Sequence, residues 1–508
     1  MTDMGLSGSV RRGLAWGSAG NIVLRFGNVL IGIVLARLLA PEDFGVFAIA
    51  LAVQGVLVTF VDLGLSTYLV RAAQPGRLEP TVATLSVASG VLLAVSMAVT
   101  AVPVAQALGS ERAAPLIALL AGTLVISAAG VVPYARMQRE FQQREIFATG
   151  AIDLGVGTVV TLVLVLAGWG PMALAVSRLV AQPCATGAQF LLSRTRPRFG
   201  FDAGVAGDAV ACGLPLAGAN LLSMGLLAVD KVVLSRGAGE VALGYYVLAF
   251  NVASWPLTVI GQTIRPVALA AFARLQDPEP NTVTTADDPE RAPGEGAGDG
   301  GLAFAVRLAW AAAVPVACLL AVLSAPVVVL LYGDRWRPAA GALAALAAFG
   351  ALRVVFDLMA TYLIARGSSR PVLWIQVAWI LALVPAVLLG VWAGGATGAG
   401  WAQVAVAVLV VLPCYLLAVR RRGARVSELL SVLLMPVVAA VPTAVAAAVV
   451  SKVVHGPLPT LVVGVLVGAG VYALLAGRPV LRALRSTATG PAVTGTAPTS
   501  GATTVTVP

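Results

Sequence analysis

The sequence predicts an all-α polytopic membrane protein with about fourteen transmembrane helices. Apolar stretches follow one another from Leu14 to Gly477, separated only by short polar loops. Each stretch is long enough to cross a bilayer, which takes about 20 residues of helix. The 508 residues are 59% hydrophobic and only 11% charged, whereas soluble domains are about 45–50% apolar and about 25% charged. The mean hydropathy of +0.93 agrees with this assignment.

The individual spans are placed by the limits of their apolar runs. They cover residues 14–36, 44–69, 81–107, 114–133, 148–168, 170–192, 207–234, 243–272, 302–331, 339–364, 371–392, 396–419, 428–451 and 458–477.

Basic residues fix the predicted orientation. One set of alternate loops contains most of the arginines, including the cluster Arg420, Arg421 and Arg422. Cytoplasmic loops carry an excess of Arg and Lys, so this set should face the cytoplasm. The chain is therefore predicted to lie in the plasma membrane with both termini inside, and its net charge of +10 does not point to nucleic acid. The opposite loops contain only Arg37, Arg112, Arg236, Arg335, Arg337 and Lys452.

Composition divides the chain into segments. Residues 276–301 are acidic and rich in Pro, Gly and Thr, which predicts a disordered loop. Residues 134–147 alternate apolar and charged side chains, which predicts an amphipathic stretch along the inner membrane surface. The predicted segments are a cytoplasmic N-terminus (1–13), an N-lobe of six helices (14–192), a cytoplasmic linker (193–206), a C-lobe of six helices (207–419), two extra helices (428–477) and a disordered cytoplasmic tail (478–508).

An ungapped match between two parts of the chain predicts an internal repeat. When residue 21 is set against residue 220, three informative identities appear: Asn21 with Asn220, Arg37 with Arg236, and Gly45 with Gly244. The offset covers an even number of spans, so both copies enter the membrane in the same direction. This predicts two parallel six-helix bundles around an axis along the membrane normal, with a central cavity.

Charged residues within the spans are the candidate functional residues, because ionised groups in hydrocarbon are costly and usually functional. Arg25 shares a polar helix face with Asn21 and Asn28, and Arg265 shares one with Gln262. Neither face contains an acid, and a guanidinium can donate two hydrogen bonds to a phosphate. Seven residues are therefore predicted to bind an anionic substrate, for which a phosphate group is suited: Arg25, Arg265, Asn21, Asn28, Gln262, Arg178 and Arg353.

The intramembrane aspartates allow two interpretations, ion coupling or ion pairs within the cavity. Arg353 and Asp357 are four residues apart on one helix, so they are the best candidates for a structural ion pair. The four aspartates are Asp62, Asp153, Asp230 and Asp357.

Missing motifs favour a transporter over an enzyme. Neither lysine lies in the glycine-rich context of a phosphate-binding loop. The sequence contains no catalytic cluster and no substantial soluble domain, and none of the four cysteines has metal-ligand spacing. We therefore expect no cofactor and no metal.

Several short segments resemble the polysaccharide transporter, or oligosaccharide flippase, branch of the MOP (multidrug/oligosaccharidyl-lipid/polysaccharide) superfamily. The resemblance extends over most of residues 10–420, and these segments carry it. The segments are 35–50 (LARLLAPEDFGVFAIA), 62–66 (DLGLS) with 69–71 (LVR), 136–147, 228–231 (AVDK) and 243–246 (LGYY).

The resemblance implies a flippase that works by alternating access. Its substrate would be a polyprenyl-pyrophosphate-linked oligosaccharide, moved from the cytoplasmic to the outer leaflet for assembly of exopolysaccharide, lipopolysaccharide or another cell-surface glycan. Basic cavity residues of the family are thought to engage the pyrophosphate, which again selects Arg25 and Arg265. Membrane lipids, a polysaccharide polymerase and glycosyltransferases are further candidate partners of such a flippase.

Three other functions remain open from the sequence. A cation-coupled multidrug exporter of the same superfamily would use an acidic cavity, and Asp62, Asp153 and Asp357 are compatible with one. The two extra helices after residue 420 are similar to those of the lipid II flippase branch. A non-transporting membrane scaffold for glycan assembly would not need Arg25 or Arg265.

Overall fold

The computed structural model describes residues 3–62, 64–72, 74–274 and 297–488. The predicted loop at 276–301 and the end of the tail lie almost wholly outside this part of the chain. In chain order, the α-helices of the described residues are α1 (Asp3–Leu38), α2 (Pro41–Asp62), α3 (Leu65–Arg71), α4 (Pro75–Val99), α5 (Ala101–Ala107), α6 (Ala114–Arg139), α7 (Gln143–Leu166), α8 (Met172–Ser193), α9 (Ala203–Arg274), α10 (Ala297–Val322), α11 (Ser324–Tyr332), α12 (Ala339–Ala365), α13 (Ser369–Val406), α14 (Leu412–Arg420), α15 (Val426–Val453) and α16 (Pro457–Ala488).

Glycines divide the two longest helices. In α9, Gly239 has φ 80° and ψ −179°, a conformation that only glycine adopts readily. We call the two parts α9N (203–238) and α9C (240–274). In α13, Gly394 and Gly395 interrupt the helical backbone as well. Two of the breaks between predicted spans, at 235–242 and at 393–395, therefore fall at these glycines.

The all-α membrane architecture predicted from the sequence is confirmed, and each predicted span coincides with helix. Nine helical segments among the described residues are long and apolar enough to cross a membrane. The number of fourteen spans stays a prediction. Several spans contain a break: α2 and α3 share one span, as do α4 and α5, and α10 and α11.

The stretch at 134–147 is not one continuous segment, and its position along the inner membrane surface stays a prediction. Helix α6 continues to Arg139, and α7 begins at Gln143. Between them Phe141 has φ 55° and reverses the chain. The alternation of polar and apolar residues therefore comes from two helix ends and a tight turn, which a periodicity argument mistakes for one amphipathic segment.

The helices pack as two groups and a pair. In the first group, α1 packs on α7, α7 on α8, α8 on α6, and α6 on both α4 and α2. In the second group, α9 packs on α12 and α13, and α10 packs on α12. The pair α15 and α16 packs against α10 and α11. The groups meet mainly where α2 lies against α9.

Candidate functional site: the interface between the two helix groups

The interface between the groups has two distinct ends. We call the end formed by 38–41, 108–113, Gly239 and 333–338 the kink end. We call the opposite end, formed by 72, 74–75, 140–142 and 194–202, the linker end. Most basic residues of the predicted outer loops lie at or beside the kink end.

Two glycines bring α2 and α9C into direct backbone contact at the kink end. A Cβ atom added to Gly45 would overlap the carbonyl oxygen of Glu240, and one added to Gly244 would overlap the carbonyl oxygen of Pro41. Pro41 and Glu240 are separated by the same 199 positions as Gly45 and Gly244. The contact is thus reciprocal, with each helix placing its glycine on the first turn of the other.

Charged groups surround this glycine contact. The Arg112 guanidinium lies 3.5 Å from Asp43 Oδ1 and 3.5 Å from Glu240 Oε2, so it bridges α2 and α9C. The Ser110 hydroxyl donates a hydrogen bond to the same Glu240 carboxylate. A second hydroxyl, that of Ser235, donates to the carbonyl of Leu108 at 2.6 Å.

The segment 333–338 of the second group packs against the end of α1 and exchanges hydrogen bonds with it. The indole Nε1 of Trp336 donates to the Ala36 carbonyl at 2.7 Å. The Trp336 ring is fully buried and meets Phe44 edge-on at 5.3 Å between centroids. In the opposite direction, Arg37 donates to the carbonyls of Leu331 at 3.0 Å and of Leu330 at 2.7 Å.

The linker end connects the groups differently. Ala209 in the first turns of α9N packs with Leu65, Leu69 and Val82 of the first group. In the part of the chain that the structure describes, α10, α12, α13 and α14 make no extensive contact with α1–α8. Separation of the two groups at the kink end requires these contacts to break. At the linker end, the start of α9N and the linker make the contacts with the first group among the described residues.

A buried carboxylate lies inside the second group. Asp230 on α9N is 2% exposed. Its carboxylate accepts hydrogen bonds from the Tyr246 hydroxyl at 2.6 Å, the Gln403 amide at 3.1 Å and the Lys231 backbone N–H at 2.8 Å. Three separate helical segments are thus joined by one acidic side chain.

The other predicted site residues lie on several different helices. Arg25 and Asn28 are exposed on α1, and the Asn28 amide donates to the Leu24 carbonyl of its own helix at 3.0 Å. Arg178 is exposed on α8. On α12, Arg353 is half-buried and Asp357 is exposed. The ion pair between these last two residues stays a prediction.

Asp62 and Asp153 have different surroundings. The carboxylate of Asp62 accepts hydrogen bonds from the Ser66 N–H at 3.1 Å and from the Ser66 hydroxyl at 2.8 Å, so it closes the turn between α2 and α3. Asp153 is half-buried on α7. The side chains of Asn21, Gln262 and Arg265 lie outside the described side chains, although their backbones belong to α1 and α9.

Sequence reasoning missed Lys231, Arg112 and Glu240. The Lys231 ammonium lies 5.2 Å from the centroid of the Phe250 ring and is half-buried. It lies within a predicted span, and this position was a sufficient signal to select it. Arg112 and Glu240 lie in short loops between spans, where a charged residue is ordinary, so only the packing reveals their pairing.

Comparison with known proteins gives consistent matches. Residues 34–286, about half of the chain, match the family described as "Polysaccharide biosynthesis protein". The succinoglycan biosynthesis transport protein ExoT of Rhizobium meliloti (strain 1021) is 25% identical over 387 residues, covering 75% of this chain and 74% of that protein. The lipopolysaccharide biosynthesis protein WzxC of Escherichia coli (strain K12) is 24% identical over 470 residues, covering 88% of each.

Solved structures share the fold. The lipid II flippase MurJ in an inward closed conformation superposes with a TM-score of 0.74 at 12% identity, covering 92% of this chain and 99% of that one. An inward-facing multidrug resistance MATE transporter of the MOP superfamily gives a TM-score of 0.63 at 17% identity, covering 80% of this chain and 96% of that one.

Proposed function

We propose that the chain, which belongs to the polysaccharide transporter branch of the MOP superfamily, is a flippase for a lipid-linked oligosaccharide. It moves a polyprenyl-pyrophosphate-linked oligosaccharide from the cytoplasmic to the outer leaflet and thereby supplies exopolysaccharide or another cell-surface glycan. Its relatives act in succinoglycan transport and lipopolysaccharide biosynthesis by their names, and both match most of the chain.

The asymmetry of the interface is the structural observation that carries this proposal. The two helix groups are held together by glycine contacts, ion pairs and a buried tryptophan at the kink end. At the linker end, the start of α9N and the linker make the contacts seen among the described residues. Such an interface favours a protein that opens alternately at its two ends.

The kink end faces the outside in this proposal. Five arginines lie at or beside the kink end, whereas eight lie at or beside the linker end, and an excess of basic residues is expected of cytoplasmic loops. The structure then corresponds to a state closed toward the outside, and both termini are cytoplasmic. Flipping requires the kink-end contacts to break and reform in each cycle.

Arg25 and Arg265 are proposed to hold the pyrophosphate, with Asn21, Asn28 and Gln262 as further donors. Arg25 is exposed, and the helix face of α1 that includes Gly20, Leu24 and Gly27 packs on α7 instead. The guanidinium is therefore available to a ligand. Arg178 and Arg353 are secondary candidates.

Asp230 is the aspartate we favour for ion coupling. Its carboxylate is buried, and its hydrogen bonds join α9N, α9C and α13. Binding or release of a proton or cation at this carboxylate would change how these three segments are held together. We expect Asp230→Asn to abolish any dependence of transport on an ion gradient.

The test is transfer of a labelled polyprenyl-pyrophosphate oligosaccharide across proteoliposomes, with a cationic dye as competing cargo. We expect transfer by the wild type and a loss of about tenfold or more in the Arg25→Ala and Arg265→Ala variants, because a charged hydrogen bond contributes about 1.5–3 kcal/mol. The matched control is Arg421→Ala, which removes an exposed arginine from the α14–α15 connection.

Two results would contradict the proposal. Undiminished transfer by a folded Arg25→Ala, Arg265→Ala double variant would show that these arginines do not form the anion site. Dye transport driven by an ion gradient, without transfer of the lipid-linked sugar, would instead indicate a drug exporter that uses the aspartates.

A further inference from the structure

The linker between the two helix groups is a non-helical segment that is attached to α4 by hydrogen bonds. After α8 ends at Ser193, residues 194–202 form no helix and lead into α9 at Ala203. The segment is fixed to α4: the Gly200 N–H donates to the Thr84 hydroxyl at 3.2 Å, and that hydroxyl lies 2.9 Å from the Gly200 carbonyl. The Asp202 N–H donates to the Thr81 hydroxyl at 3.2 Å.

This fixed segment exposes two phenylalanines. Phe199 is 65% exposed and Phe201 is 69% exposed. Gly200 between them is held against α4, so the two exposed rings flank the point at which the linker is attached to that helix. Leu191 at the end of α8 is 80% exposed and extends the apolar surface.

Three arginines precede the phenylalanines in the linker. Arg194, Arg196 and Arg198 are all exposed, and none of them takes part in an ion pair within 4.0 Å among the described residues. The nearby Asp202 carboxylate is engaged locally, because it accepts hydrogen bonds from the N–H groups of Gly204 at 2.9 Å and Val205 at 3.3 Å. The surface therefore combines unneutralised positive charge with exposed rings.

Contacts with α4 place the linker at the depth of the membrane interface. Its partners Thr81 and Thr84 are the first and fourth residues of the predicted third span. By the predicted span boundary, the linker lies where hydrocarbon gives way to headgroups. Rings at this depth enter the acyl boundary, and guanidinium groups beside them meet lipid phosphates.

We propose that residues 194–201 form a binding site for anionic phospholipid of the cytoplasmic leaflet. Phe199 and Phe201 insert between the acyl chains, and Arg194, Arg196 and Arg198 contact the phosphates. Because this segment connects the two helix groups, bound lipid holds the linker in place while the groups move. The inference uses the orientation proposed above but does not depend on transport.

Depth measurements test the insertion of the rings. In a variant without Cys184, Cys212, Cys318 and Cys414, Phe199→Cys is labelled with an environment-sensitive fluorophore and placed in phosphatidylglycerol nanodiscs. Gln74→Cys is the matched control, because Gln74 is exposed and lies about 10 Å further toward the cytoplasm along α4, at 1.5 Å per residue. We expect lipids with a nitroxide near the carbonyl to quench the label at 199 but not at 74, and iodide to quench in the reverse order.

Lipid titration tests the arginines. Replacement of Arg194, Arg196 and Arg198 by glutamine should weaken retention of phosphatidylglycerol in detergent, measured by native mass spectrometry. Each basic residue near an anionic surface contributes roughly a fivefold change in affinity, so we expect a loss of at least about tenfold. Glutamine at Arg420, Arg421 and Arg422 removes the same charge from another exposed loop and should have the smaller effect.

The site would be overturned by either of two findings. One is equal quenching by iodide at positions 199 and 74, which would place the rings in water or against a soluble partner. The other is unchanged phosphatidylglycerol retention in the linker triple variant, or an equal loss in both triple variants. None of these measurements requires the protein to transport anything, so they remain informative if the flippase proposal fails.

Discussion

The kink end and the linker end of the same interface are built from different contacts. At the kink end, the backbones of α2 and α9C touch at Gly45 and Gly244, and Trp336 is buried against α1. At the linker end, apolar side chains pack around Ala209, and hydrogen bonds to Thr81 and Thr84 hold the linker against α4. The contacts across the kink end require the surfaces of the two helix groups to fit closely, whereas the linker connects the groups through the chain.

This difference indicates how each end can open during a cycle. Opening the kink end breaks the glycine–carbonyl contacts and the partly exposed ion pairs, and it withdraws Trp336 from α1. At the linker end, the two groups stay connected by the covalent linker when they move apart. Alternating access needs both ends to open in turn, and single substitutions at the kink end test the first of these openings.

Trp336→Ala should have the largest effect on stability. The ring is fully buried and donates to the Ala36 carbonyl at 2.7 Å, and truncation of a buried tryptophan costs about 3–5 kcal/mol. We expect a lower thermal unfolding midpoint in detergent and a kink end that is accessible to thiol reagents. Trp392→Ala is the control, since Trp392 is 88% exposed. Equal shifts of the unfolding midpoint in both variants would contradict a stabilising contact between Trp336 and α1.

Gly45→Ala should hold the kink end open with a smaller cost to the fold. The new Cβ atom would overlap the Glu240 carbonyl, and overpacking of this kind costs about 1–3 kcal/mol. A cost near the middle of that range lowers the ratio of closed to open states about thirtyfold. Opening of the kink end is measured by labelling a cysteine at position 110 from the outside, and we expect this labelling to increase.

Symmetry extends the glycine prediction to the second helix. Gly244→Ala should reproduce the effect of Gly45→Ala, because its Cβ atom would overlap the Pro41 carbonyl in the reciprocal position. Gly55 lies on the same helix as Gly45 with open space around it, so Gly55→Ala should change nothing. A large effect of only one of the two interface glycines would speak against a reciprocal contact and against the proposed repeat.

Glu240→Gln should have the smallest effect. It removes the ion pair with Arg112, which is more than half exposed, and pairs of this kind contribute about 0.2–1 kcal/mol. We expect a slight increase in opening at the kink end that disappears in high salt, because screening already weakens the wild-type pair. A salt-independent effect would show that Glu240 acts through its hydrogen bond with Ser110 instead.

Much of the fold was accessible from the sequence. Hydropathy alone located helices such as α12 and α15 within a few residues, because their apolar runs have clear polar limits. The breaks at Gly64 and at Leu323 inside predicted spans were not accessible, since helix interruptions within a span do not change its hydropathy. The turn at Phe141 was missed for a related reason: its positive φ has no glycine to signal it.

The site was less predictable than the fold. Asp230 was singled out from its cost in a membrane, and the structure gives it three hydrogen bonds. Its partner Gln403 is a lone amide in an apolar run, and nothing in the sequence links positions 173 residues apart. Gly45 and Gly244 were noticed as matching residues, but their mutual contact depends on how two helices cross, which spacing along one chain does not encode.

Cross-linking the kink end would show whether this end must open for transport. Cysteines at Ser110 and Glu240, in a background without native cysteines, are joined by a reducible cross-linker that spans their contact. We predict that transfer of the lipid-linked sugar stops when the two residues are joined and returns when the cross-link is reduced. Full transfer by the cross-linked protein would contradict alternate opening, because the kink end would then have no need to open.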